Sequence, residues 1–324
     1  MKRKGGRMMP EVVTIGETMV VFDSLNAGRL RYSYNFECHT GGAETNTAVA
    51  LTRLGHTAGW ISRLGEDEFG HRILNQIRGE GVDVSQVQMT DEAMTGIFFR
   101  QRLDNGESKN FYYRKGSAAS TMTPEILNVD YIKSSKIMHI TGITPAISES
   151  AAKTVERAMQ IAKENDILVS FDPNLRLKVW SLEDAGKTID RLMKYVDIAL
   201  PGLEEGSLLY GTSDPDQIAE IIQGYGVKTV IVKIGADGCI GYEDGVREMS
   251  CGFKVKKVVD AFGAGDAFAA GILAGTLEGL TIGERMRLAN AVGAMTVAVK
   301  GNIEAFPTRK EVKDFISGSA GINR

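Results

Sequence analysis

Long apolar runs are missing from this chain of 324 residues, which removes a membrane-spanning helix from the readings. Glu11 and Glu17 interrupt the first candidate stretch, "EVVTIGETMVVF", so the basic start "MKRKGGRMMP" does not read as a signal peptide. Cysteine is scarce. Cys38, Cys239 and Cys251 stand far apart, with no CxxC pair and no cluster among the four histidines, so neither a disulfide framework nor a zinc site is indicated. Such thiol usage fits the cytoplasm. An excess of one charge is lacking too: 38 basic residues face 41 acidic ones, for a formal net charge of -3, and the basic residues are spread along the chain. Nothing there marks a nucleic-acid or membrane surface, which leaves small molecules as the expected partners. The composition that is present, 43% hydrophobic and 7% aromatic, is ordinary for a globular protein and supplies a sizeable core.

Short β-branched runs alternate with segments of helical spacing. "EVVTIGE", "AGWISRLG", "KIMHITGI", "DILVSFDPN", "VDIALPG" and "KTVIVKIG" read as strands, and "ESAAKTVERAMQIAKEN" as one of the helices between them. That alternation predicts βαβ units on a parallel sheet. Two stretches break it: "GRLRYSYNFECH", and "TGIFFRQRLDNGESKNFYYRKGS", whose two strand-like halves flank the turn signal "DNGE". They predict a small separate sheet, from about 26–40 and 95–116, inserted into a single domain spanning 1–324.

"DAFGAGDAFAAGILAG", from Asp260 to Gly275, sets a carboxylate directly after a Gly-Ala-Gly triplet. "KVKKVVD" reads as a strand ending at Asp260 and "GDAFAAGILAGTLEG" as a helix, which predicts a loop at the carboxyl end of a sheet strand, where open α/β sheets bind ligands. Gly263, Ala264 and Gly265 leave N–H groups uncovered at a helix N-terminus, a cradle for an anion such as phosphate. Asp266 in the same turn can take a proton from a hydroxyl, or simply favour the helix dipole; the loop alone leaves both roles open.

A second motif, "GGAETNTAVALTRLGHTAGWISRLG", places Gly41 and Gly42 ahead of Asn46 and an alanine-rich helix. Together the two motifs resemble the paired signatures of the ribokinase (PfkB-type) sugar kinase family, and the likeness extends over nearly the whole chain. The resemblance implies a ribokinase-like three-layer α/β/α sandwich with a small β-sheet lid, and transfer of phosphate from ATP, with Mg2+, to a sugar hydroxyl. By it, Asp266 is the catalytic base and the amides of Gly263, Ala264 and Gly265 stabilise the transferring phosphoryl group. "KIGADG" resembles the nucleotide loop, with Lys233, Gly235 and Gly238 near ATP, and Asn290 approaches the nucleotide from a helix.

Departures from the family pattern are specific. The usual Asn-x-x-Glu motif near magnesium reads "GLEE", with Gly202 in place of Asn and Glu205 left as an organiser of magnesium-bound water. Ala261 replaces a Thr or Pro. Asp260 matches one position of a monovalent-cation site found in some members.

"FYYRKGSAAS", "HITGITPAIS" and "DPNLRLKVW" resemble the sugar-acid branch of the family, whose acceptor is 2-keto-3-deoxygluconate. In an extended strand Tyr112 and Arg114 share a face and Tyr113 points away. Arg176 follows Asp172 and Asn174 at another strand end. Two arginines suit a carboxylate, which the planar guanidinium binds in bidentate fashion, and a neutral sugar would leave both poorly paired. The resemblance adds Gly42 and the Ile143 backbone to the sugar site. Phe98 stands where a Tyr is frequent and Asn302 where an Asp is frequent, which keeps fructose or another sugar or nucleoside open as acceptor. A sugar sensor on the same fold would be expected to lose the base, yet Asp266 is present, and a dinucleotide oxidoreductase lacks GxGxxG after its first strand. A homo-oligomer is expected from the open edges of the small sheet.

Overall fold

A computed structural model describes residues 3–4, 7–103 and 108–318. Two short antiparallel strands, β1 (Arg3–Lys4) and β2 (Arg7–Met8), precede β3 (Val12–Ile15), β4 (Met19–Ala27), β5 (Phe36–Gly41) and α1 (Ala43–Arg53). Then come β6 (Ala58–Gly65), α2 (Glu68–Gly79), β7 (Asp83–Thr90), β8 (Ile97–Arg102) and β9 (Ser108–Tyr113). The middle of the chain alternates α3 (Val129–Lys133), β10 (Ile137–Thr141), α4 (Ile143–Ala146), α5 (Glu149–Lys163), β11 (Leu168–Asp172), α6 (Leu182–Met193) and β12 (Ile198–Ala199). It closes with α7 (Leu203–Tyr210), α8 (Pro215–Gln223), β13 (Thr229–Lys233), β14 (Gly238–Glu243), β15 (Val246–Cys251), α9 (Ala264–Leu277), α10 (Ile282–Val297) and α11 (Arg309–Ile316).

Nine strands form one sheet in the order β15-β14-β13-β12-β11-β10-β3-β6-β7. It is parallel from β7 to β13, and β14 and β15 add an antiparallel edge. Because successive side chains leave a strand on opposite faces, the central strands must be apolar on both. Val13, Met138 and Phe171 accordingly pack on one side with Val155, Met159, Ile189 and Ile218 of α5, α6 and α8. Val12 and Ile137, each one residue earlier than its neighbour in that set, pack on the other side with Val49, Ile73, Leu273 and Val292 of α1, α2, α9 and α10. This is the three-layer sandwich. The α5 sequence shows why a helix forms there: Ala151, Val155, Ala158, Met159 and Ala162 are buried at helical spacing, and Ser148 caps the start by accepting from the Ala151 N–H at 3.0 Å.

The small sheet runs β5-β4-β8-β9. It is larger than the sequence reading: β4, which begins at Met19, lies inside it, whereas the stretch from 28 to 35 carries only the short 3-10 turn Leu30–Tyr32. The alternating "MVVF" run pairs with β5 and β8, so its inward residues Met19 and Val21 meet Phe98. The expected "DNGE" turn lies outside the described residues.

"KVKKVVD" is not a strand. Val258 and Val259 are exposed, and the N–H groups of Val259 and Asp260 go to the Val297 carbonyl at the end of α10 instead of to a sheet neighbour. With three exposed lysines the segment has no face to bury. The loop it leads into nevertheless reaches the carboxyl ends of β11 and β13, because α9 packs against α1 and starts above them. Among the described residues no helix is long and apolar enough to cross a membrane.

Candidate active site

A cavity of about 820 Å³ opens between the sheet's carboxyl edge and the small sheet, and Asp266, Gly263 and Gly265 line it. Gly263 caps α9 with φ 80, the left-handed region, and a Cβ there would sit 2.5 Å from Asn302 Oδ1, so only glycine fits. The N–H of Ala264 turns back to the Ala261 carbonyl at 3.3 Å. That of Gly265 belongs to the first turn, where helices leave donors without internal partners. Asp266 is 9% exposed and accepts from Asn46 Nδ2 at 2.6 Å. Burial pushes its carboxyl up to about 7; the Asn46 donor opposes this, Asp172 and Glu44 reinforce it, and Arg176 opposes it. A carboxylate poised there can accept a proton near neutral pH.

Four elements bring the remaining groups to the same cavity. Gly42 begins α1, where a Cβ would lie 2.5 Å from the Glu17 carbonyl. Tyr112 and Arg114 share the cavity face of the small sheet, with the guanidinium 5.5 Å over the Tyr112 ring, while Tyr113 is exposed on the opposite face. Phe98 forms an apolar wall against Tyr112 and Phe262. Ile143 lines the cavity at the start of α4, with its N–H already donated to Thr141 Oγ1 at 3.2 Å.

The two arginines differ, and this corrects the expectation that a neutral sugar would leave both unpaired. Arg114 already forms an ion pair with buried Glu17, which also accepts from Ser117 Oγ. Arg176, in the loop after β11, lines the cavity with no ion-pair partner among the described residues.

Of the residues expected to face the nucleotide, Lys233 and Gly235 line the cavity. Burial works against the Lys233 charge, yet the Asp172 and Glu205 carboxylates hold its pKa above the usual lysine value, and its Nζ lies 2.7 Å from Asp172 Oδ2. Gly238 and Asn290 are not brought to this cavity. Gly238 opens β14 against β15, and Asn290 donates to the carbonyls of Ser250 and Cys251, at 3.0 and 3.3 Å, pinning β15 to α10. Glu205 takes the Leu175 N–H on Oε1 and the Gly202 N–H on Oε2, both at 2.7 Å. Its carboxylate therefore ties α7 to the loop carrying Arg176, and among the described residues no group of three or more His, Cys, Asp or Glu could hold a metal by itself.

Sequence reading left several functional groups unassigned. Asn46 carries one signal, a poor helix former inside an alanine-rich helix. Glu44 is wholly buried, with Thr141 and Thr144 donating to Oε1 at 2.8 and 2.7 Å; burial raises its pKa. Arg100 of β8 grips Asp260 in bidentate fashion, at 2.7 and 2.6 Å. Nothing local in the sequence announces these partners.

A buried carboxylate at a helix start, beside a glycine turn and in a cavity bordered by a second small sheet, fits a phosphotransferase of the sugar-kinase type. The chain belongs to the pfkB family of carbohydrate kinases, whose profile matches residues 9–309. It is 36% identical over 322 residues, 98% of each chain, to the 2-dehydro-3-deoxygluconokinase of Bacillus subtilis (strain 168). The solved 2-dehydro-3-deoxygluconokinase of Thermotoga maritima superposes with a TM-score of 0.88 at 26% identity, covering 95% of this chain and 99% of that one. A ribokinase II from E. coli, solved with ATP and Mg2+, gives 0.89 at 27% identity, covering 96% and 100%. The chain is thus a kinase that moves a phosphoryl group onto an alcohol.

Proposed function

We propose that the acceptor is 2-keto-3-deoxygluconate and that its primary hydroxyl receives the γ-phosphoryl group of ATP. The observation that carries this is Arg176, a cation without an ion partner among the described residues, facing the cavity that holds Asp266. The name of the Bacillus relative supports it. In this reading Asp266 takes the hydroxyl proton as that oxygen bonds to the γ-phosphorus. The bond from phosphorus to the β,γ-bridging oxygen breaks, and ADP leaves with the electron pair. Amides of the Gly263–Gly265 turn hold the equatorial oxygens. Arg176 and Arg114, with Tyr112, Gly42 and Ile143, position the sugar acid, while Lys233 and Gly235 face the nucleotide, with Gly238 and Asn290 supporting that wall.

Magnesium suits this site as the nucleotide's own counter-ion: Glu204 and Glu205 line the cavity, and Glu205, committed to backbone donors, would reach the ion through water. Bound there, the ion would neutralise charge on the phosphates. A monovalent cation is not needed at Asp260, because Arg100 already brings it a positive charge. Three free cysteines agree with a cytoplasmic site of action, and the exposed Phe111 and Tyr113 at the open β9 edge agree with a homo-oligomer. The net charge of -3 and, among the described residues, the scattered exposed hydrophobics do not call for a nucleic acid or a membrane.

The Glu17–Arg114 pair favours a second reading, a neutral sugar such as fructose, since Arg114 needs no substrate anion. Specificity constants for the two sugars decide between them. Arg176→Ala should weaken use of the acid roughly ten- to a hundredfold, as one lost charge-assisted hydrogen bond predicts, and affect fructose much less. Equal losses on both sugars, or a wild-type preference for fructose, would remove the sugar-acid reading.

A further inference from the structure

We propose that Asn302 is a positioning residue for phosphoryl transfer: acting through Asn46, it fixes which end of an amide faces Asp266. The inference rests on Asp266 as the base and goes beyond that assignment. Asn302 is fully buried just before a short 3-10 turn, Ile303–Ala305. Its Nδ2 donates to the Thr40 carbonyl at 2.8 Å and to Asn46 Oδ1 at 2.7 Å, and Asn46 Nδ2 donates to Asp266 Oδ2 at 2.6 Å.

The direction of this chain is set at its far end. A peptide carbonyl can only accept, so the Thr40 oxygen demands the NH2 side of Asn302. Both hydrogens of that NH2 are then committed, and Asn46 must offer its oxygen to Asn302 and its NH2 to Asp266. Turned round, Asn46 would set a carbonyl oxygen against a carboxylate. An aspartate at 302 would reverse the logic. It has no hydrogen for Thr40, and its negative charge would draw the Asn46 NH2 away from Asp266. Moreover, Asn302 Oδ1 has no hydrogen-bond partner among the described residues and lies 2.5 Å from where a Cβ on Gly263 would stand, so a carboxylate there would place charge beneath the turn that holds the phosphoryl group.

Several charges already act on Asp266. Glu44 faces it from α1, Asp172 from β11, Arg176 from the following loop and Lys233 from β13. Glu17 and Arg114 line the same cavity, and the Arg100–Asp260 pair precedes the loop. Along α10, Arg285 lies against α9 at Gly275, about two and a half turns from Asp266, and beside Asn302 the Glu304 carboxylate is paired with His39. Against that background Asn46 is the only neutral donor to the Asp266 carboxylate among the described residues, so losing it raises the proton affinity of the base.

The test uses the full chain with aspartate carboxyl carbons labelled with 13C and the Asp266 signal assigned through Asp266→Asn. In ligand-free protein, Asn302→Asp should move the Asp266 titration up by about one pH unit or more, and Asn302→Ala should move it up by less. The acidic limb of kcat/KM should follow by the same increments, with KM for ATP little changed. No rise in either variant, in protein shown to be folded by its thermal transition, overturns the proposal. So does lost activity without a titration shift, because Asn302 would then only support the fold. The carboxyl titration needs no turnover, so an error in the proposed sugar leaves this answer intact.

Discussion

At Asp266 the chain keeps a carboxyl whose charged form the fold disfavours. Its pKa rises, through burial above all, from 3.8 to about 7, so the folded state binds this proton more tightly than the unfolded one. The stability tied to the proton is complete below pH 3.8 and lost as pH climbs through 7. Replacing Asp266 with Asn removes that loss while keeping an oxygen to accept from Asn46. Thermal unfolding should therefore show Asp266→Asn with a higher midpoint than wild type at pH 8 and nearly the same midpoint at pH 4. Turnover should meanwhile fall by roughly 10² to 10⁴. A variant that is less stable at pH 8, or that turns over normally, would deny Asp266 the strained role of a buried base.

Among the elements, α7 and the loop after β11 are joined by one carboxylate. Glu205 accepts the Leu175 N–H on one oxygen and the Gly202 N–H on the other, so Glu205→Gln must turn its NH2 toward one of those donors. A half-buried donor left unpaired costs about 1–3 kcal/mol. The expected outcome is faster hydrogen exchange at Leu175 or Gly202, together with a loss of about tenfold in kcat/KM for the sugar acid as Arg176 loses its footing. Unchanged exchange at both amides would refute that linkage. Elements of this kind were legible in part. "AGWISRLG" matches β6 residue for residue, because a run buried on both faces bounded by glycines has few other uses, and α5 follows its apolar spacing. "KVKKVVD" misled because its valines carry strand propensity, whereas its backbone bonds go to α10. At the site, residue types and glycine spacing pointed to Asp266 and its loop. The Glu17–Arg114 pair and the Asn302–Asn46 contact, 256 residues apart in sequence, were not legible, since propensity says nothing about which buried polar group meets which.

At the scale of the whole molecule, one ion pair joins the small sheet to the loop that leads into α9. Arg100 of β8 grips Asp260, whose Oδ1 also accepts the Phe262 N–H at 3.1 Å, and the guanidinium lies 5.2 Å over the Phe262 ring. Arg102 and Asp23 extend the cluster along the same sheet, with Arg100 Nη1 3.5 Å from Asp23 Oδ2. The Asp260 side chain is 0% exposed, and although burial alone would raise its pKa, Arg100 holds it below 3.8. Its contribution is therefore present above that value and lost as pH falls below it. Arg100→Met would leave this buried carboxylate with only the Phe262 N–H and an Arg102 guanidinium 3.9 Å away in place of its bidentate partner, a loss of about 3–5 kcal/mol, while adding Asp260→Asn to the same chain should restore much of the stability. Turnover should separate the two effects. If the ion pair only holds the fold, the double variant regains activity along with its thermal midpoint. If it seats the phosphate turn when the small sheet closes, the double variant stays slow, and bound sugar and nucleotide no longer protect residues 97–102 from amide exchange as they do in wild type. Activity of the wild type should be the same in potassium and in potassium-free buffer, because the charge beside Asp260 is carried by the chain itself; a requirement for potassium would show that Arg100 does not fill that place.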